Sequence, residues 1–137
     1  MDVLSVAASI IAVVQIAGQV TSYLGDIKDA PRECENCMIE LYNSNILLLQ
    51  LKARLSESIS REPWYAKVHA LDVKDGPLDQ YKRSLEDLLQ KVETRSKLRK
   101  LMNALLWSWI KEDVASLLAK MERLKTFVSI ALEMDHL

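Results

Sequence analysis

Glycine and proline are scarce in this chain, with three of each in 137 residues. Gly18, Gly25 and Gly76 do not stand in the spacing of a phosphate-cradling loop, so nothing here resembles a P-loop. Two cysteines do not make a disulfide framework, and a reducing, intracellular setting is the simpler inference. Histidine is nearly absent too. Besides Cys34-x-x-Cys37, the chain offers a zinc ion only His69 and His136, without paired spacing, where a zinc site takes about four ligands. A thioredoxin-type use of the same motif needs a βαβ context that the pattern lacks. Both cysteines also fall on a helix seam, where free Cys behaves as a small buried hydrophobe. A basic excess is missing as well: 18 Lys and Arg stand against 19 Asp and Glu, for a net charge of −1. That is a poor balance for a nucleic-acid partner. No basic stretch precedes the apolar N-terminal run, so no secretory signal is expected. Asp2 stands where N-myristoylation needs glycine. No nucleophile elbow is present, and no carboxylate pair stands out for acid–base work. The chain therefore reads as a non-enzyme without metal or cofactor.

What is abundant favours helix. Half of the residues are hydrophobic and 27 % are charged, and Leu, Ala, Lys and Glu are strong helix formers. The length suits one domain over residues 1–137 with a core of its own. A first helix is expected from about Asp2 to Lys28, with Asp2 as N-cap and no charged residue between Asp2 and Asp26. Ser5, Ser9, Gln15, Gln19 and Ser22 gather in one arc of roughly 140° on a helical wheel, and most of the remaining circumference is apolar. A second helix should open at Asp29-Ala30-Pro31, since proline is favoured in a first turn, and run to about Ser58. Its seam is Cys34, Cys37, Leu41, Ser44, Leu48, Leu51 and Leu55, spaced 3-4-3-4. Residues 60–76 break the period and read as a loop with one short helical turn near Trp64 to Ala70. A third helix starts at Pro77 with the stripe Leu78, Tyr81, Leu85, Leu88, Leu89 and Val92, and continues, or is followed by a short separate helix, to about Trp107. A fourth is expected from about Ile110 to Asp135, with Glu112 and Asp113 in its first turn. These segments pack most simply as an all-α, up-down bundle of four to five helices. The first would be the most completely buried, because an apolar circumference needs several neighbours.

Three features carry functional readings. From Val3 to Leu24 the first helix is roughly 33 Å long, enough to cross a hydrocarbon core of about 30 Å, yet it also suits a central helix of a soluble bundle. Lys91, Arg95, Lys97, Arg99 and Lys100, opposed by Glu93 alone, form a basic patch. It is either a solvated face or a contact for anionic lipid headgroups. Trp64, Trp107 and Trp109 either cap the core or anchor at a membrane interface, with general burial habits favouring the core.

The opening run Met1 to Val13 resembles the N-terminus of fungal STAND receptors, the NLR-like proteins with NACHT and repeat domains. So do Tyr23-Leu24 with Asp26 to Pro31, the start at Asp75-Gly76-Pro77-Leu78, and the stretch Met121 to Lys125. The similarity is to their HeLo-like N-terminal domain and spans the chain; order and spacing carry it rather than any single motif. The resemblance implies an effector domain for programmed cell death and heterokaryon incompatibility, a form of fungal innate immunity. It implies a cytoplasmic homo-oligomer, recruited to the plasma membrane on activation. The inserting helix would use Val3, Leu4, Val6, Ile10, Ile11, Val13, Val14, Ile16, Val20 and Leu24, and the basic patch would meet lipid. These residues include no Gly/Asn-rich amyloid tail, and by this resemblance the chain is expected to be an excised domain or a truncated product of a longer receptor. The competing expectation is a non-lytic module that binds its own kind or a downstream protein, in which a charge at Ile11 or Val14 would unfold the bundle.

Overall fold

The structure, a computed structural model, describes residues 3–27, 30–57, 62–96 and 104–134. Among them stand five helices and no strand: α1 (Val3–Gly25), α2 (Arg32–Glu57), α3 (Glu62–Leu71), α4 (Pro77–Ser96) and α5 (Ala104–Met134). Asp2, expected as the N-cap of the first helix, lies outside the described residues, as do Asp29, Ser58 and residues 97–103.

Each long helix buries one narrow stripe. In α1 it is Val6, Ile10, Val13, Ala17, Val20 and Leu24. In α2 it is the expected seam from Cys34 to Leu55. A fully buried Leu or Ile contributes about 1.5–3 kcal/mol over an exposed one, so these stripes dominate stability. α1 packs on α2 and α4, and α5 packs on α4 and α2. The four long helices therefore form a ring in which α1 lies diagonal to α5 and α2 diagonal to α4. α3 lies across one end, against α5 and α4. Trp64, 2 % exposed, caps the core there. Its Nε1–H donates to the Ala131 carbonyl at 2.8 Å, tying α3 to the last turns of α5.

The turns follow from their residues. α1 ends at Gly25, where the Asp26 and Ile27 N–H groups donate to the carbonyls of Tyr23 (3.1 Å) and Leu24 (3.3 Å), tightening the last turn. α4 begins after Asp75-Gly76. Asp75 is left-handed (φ 63°), a conformation that Asp tolerates better than most residues. Its N–H donates to Asp79 Oδ2 at 2.9 Å, and Arg83 braces both carboxylates. Gly76 packs so close to the end of α3 that a Cβ would meet the Ala70 carbonyl at 2.9 Å.

Three expectations are corrected. The loop at 60–76 contains the ten-residue α3 rather than a single turn, because Trp64, Val68 and Leu71 reach the core together. The last helix begins at Ala104, not Ile110. Leu106 and Ile110 continue one buried stripe through Ala131, so Glu112 and Asp113 lie well inside α5 and do not serve its dipole. α1 is not the most buried helix: 28 % of its apolar span is buried, because two neighbours cover only one side and its Ala, Gly and Ser positions offer little to cover.

Candidate functional site

α1 supplies the first candidate surface. Of its expected insertion residues, Val6, Ile10, Val13, Val20 and Leu24 are fully buried in the bundle, and Val14 and Ile16 are half-buried. Val3 and Leu4 open the helix. Ile11 is 42 % exposed, in an outer face completed by Ser5, Ala8, Gln15, Gly18, Gln19 and Ser22. A charge at Ile11 thus meets water, and the expectation that it would unfold the bundle is revised. Ser5–Gly25 is, among the described residues, the one helical stretch long and apolar enough to cross a membrane, a test that core helices of soluble proteins also pass.

The absence of charge governs how α1 is held. With no Asp, Glu, Lys or Arg from Val3 to Gly25, its side chains can form no ion pair. Its polar ties to the rest of the bundle include Ser5 Oγ donating to Asp72 Oδ2 (3.2 Å) and Cys34 Sγ donating to the Leu24 carbonyl (3.7 Å). Ser9 and Thr21 instead donate within the helix, to the carbonyls of Ser5 (3.0 Å) and Ala17 (2.8 Å). Hydroxyls satisfied in this way travel with their helix and lower the cost of an apolar surrounding.

The basic patch is only partly visible. Lys91 pairs with Asp113 at 2.6 Å, and its Nζ lies 5.1 Å from the centre of the Trp109 ring. Its charge therefore fastens α4 to α5. Arg95 lies on the last turn of α4, and Lys97, Arg99 and Lys100 lie outside the described residues. Among the tryptophans, Trp64 is core, Trp107 packs half-buried against it, and Trp109 is 37 % exposed.

The two cysteines are free and fully buried. Burial pushes both thiols up, Cys37 to about 12 with help from Cys34 and Glu40, so neither is a ready thiolate nucleophile. Tyr81, also fully buried, is raised chiefly by burial, which the neighbouring Ser44 hydroxyl partly offsets. Among the described residues, the Ser44 and Tyr81 hydroxyls have no partner in good hydrogen-bond geometry, nor does Asn45 Oδ1. The core between α2 and α4 thus carries polar atoms at some cost. A groove of about 470 Å³ lined by Asp75, Gln80, Arg83, Ser84, Asp87 and Lys120 mixes both charge signs, and its Arg83 is already committed to Asp75 and Asp79.

A second surface was overlooked in the sequence. Ile39, Tyr42, Ile46 and Leu49 are 52, 66, 39 and 47 % exposed and share the outer side of α2. Their 3-4-3 spacing was available as a signal, but the stronger inner seam of the same helix obscured it.

The chain matches no protein-family model, no curated protein and no solved structure. The resemblance to HeLo-like domains accordingly rests on the residues quoted for it.

Proposed function

We propose that this chain is a membrane-targeting effector domain of the HeLo-like kind, in which α1 is stored in the bundle and released into lipid when copies of the protein are brought together. One observation carries this reading: α1 is long enough to span a bilayer and is held without a single ion pair, by one apolar stripe and a few weak polar ties. Moving its buried stripe into hydrocarbon exchanges one apolar environment for another, its outer face leaves water without carrying an ionised group, and no opposite charges are separated. The self-satisfied hydroxyls of Ser9 and Thr21 support the same exchange. Since α1 is only one member of the ring, α2, α4 and α5 keep their α2–α5 and α4–α5 contacts when it leaves. Arg95, Lys97, Arg99 and Lys100 would provide the anionic-lipid contact.

The test is dye release from vesicles containing anionic lipid, with the intact chain and its Ile11→Asp variant. A carboxylate at the centre of a spanning helix costs about 2.5–3.5 kcal/mol, while in the bundle it points to water. Dye release should fall on the order of a hundredfold in a variant that melts like the parent. Equal release by both proteins would exclude insertion of α1. The alternative, a non-lytic module that binds its own kind or a downstream protein, is favoured by the exposed stripe of α2.

A further inference from the structure

We infer that the outer face of α2 is a homotypic docking surface, on which a second copy of this chain seats its own α2 in antiparallel orientation. This goes beyond the membrane reading and does not depend on it.

α2 carries two seams. The inner one, Cys34 to Leu55, fills the bundle. The outer one is Ile39, Tyr42, Ile46 and Leu49, continued by the exposed Ala53. It repeats the 3-4-3-4 spacing of a coiled-coil seam and lies about 150° around the helix from the inner one. Four large apolar side chains in a row on one exposed helix face are not explained by scattered surface hydrophobicity, which comes singly. A 3-4 spacing is the pattern that another helix's side chains interlock with.

Charge identifies the partner and its direction. The seam is uncharged from Ile39 to Ala53, and its inner flanks are the neutral residues Met38, Asn43, Asn45 and Gln50. A two-fold interface brings each patch onto its own copy, so a patch with charge of one sign would repel itself; this one does not. A parallel pairing would stack the exposed Glu35, one step further along the seam, on the Glu35 of the second copy, a like-charge contact. An antiparallel pairing places Ile39 opposite Leu49, Tyr42 opposite Ile46, and Glu35 opposite Ala53. It also sets the neutral Asn36 beside Gln50 and Lys52 beside Met38, so no like charges meet. The seam is about 21 Å long, short of the roughly 800 Å² per partner that a standard interface buries. The dimer is therefore weak alone and populated when copies are held close, where a tether raises local concentration to about the millimolar range.

Sedimentation velocity on the intact chain, from about 5 to 300 µM, should show mass rising toward the dimer, as expected of an interface of this size. Ile46→Glu and Tyr42→Glu should each weaken association at least about thirtyfold, since each change enters the two-fold interface twice, with melting unchanged. Ile39→Cys mixed with Leu49→Cys should cross-link under mild oxidation, whereas neither alone should. A chain monomeric throughout, or a dimer indifferent to Ile46→Glu, overturns the inference, and cross-linking of either single variant overturns the antiparallel register. If the chain stays monomeric and Ile46→Glu instead reduces flotation with phosphatidylcholine vesicles, the stripe is a lipid contact and the inference fails. Dye release by Ile11→Asp reports on the membrane reading separately.

Discussion

α1 and the α4–α5 pair bury their stripes with the same spacing but are fastened in opposite ways. Between α4 and α5, Lys91 pairs with Asp113, and Arg123 donates to Gln80 at 3.4 Å. Lys125 reaches Glu40 on α2 at 2.7 Å, and Lys67 of α3 lies 4.7 Å from the centre of the Phe127 ring. α1 has no charged side chain with which to do any of this. Partly exposed ion pairs add only about 0.2–1 kcal/mol each, so the difference is one of specificity more than of stability. Charged pairs fix the α4–α5 register and would be costly to carry into lipid. An apolar stripe is indifferent to which apolar environment receives it.

The sharpest way to break this comparison is to charge the buried side of α1. Ile10→Asp places a carboxylate at a fully buried position of the core; it should cost more than about 4 kcal/mol, a large share of the stability of an ordinary domain, by urea denaturation followed by circular dichroism. Alkaline pH tests the core beside α2 and α4. Cys37 and Tyr81 are held protonated in the fold, whereas the unfolded chain ionises its thiols from about pH 9. The unfolded state then binds fewer protons, so stability is intact below pH 9 and is lost as pH rises toward 12. The urea midpoint should fall over that window, and Cys37→Ala should flatten the slope. Trp64→Phe removes the bond to the Ala131 carbonyl and should cost about 1–2 kcal/mol by the same denaturation assay. Asp113→Asn should cost about 1 kcal/mol or less, and less still in 1 M salt. The smallest effect belongs to Ile11→Asp, within about 0.5 kcal/mol of the parent. If it proved as damaging as Ile10→Asp, the outer face of α1 would have to be packed rather than exposed.

Much of the bundle was legible from spacing. The seam from Cys34 to Leu55 and the stripe from Leu78 to Val92 are buried or half-buried as expected, since a 3-4 repeat leaves a helix one way to hide its apolar residues. The short α3 was less legible, because ten residues with one proline and one tryptophan give little periodicity. The start of α5 was misplaced because Glu112 and Asp113 resemble a first turn; in the fold Asp113 answers Lys91 on another helix.

The sequence by itself determined that α1 is a charge-free helix long enough to span a bilayer, because length and composition are local properties. It likewise held both seams of α2. Only the tertiary structure decided that α1 shows a neutral face to water, with Ile11 out and Ile10 in. Only the tertiary structure decided which α2 seam is filled and which is left open. A helix places residues around its axis by its own geometry, but which sides are covered depends on its neighbours, and in this ring α1 and α2 each have two.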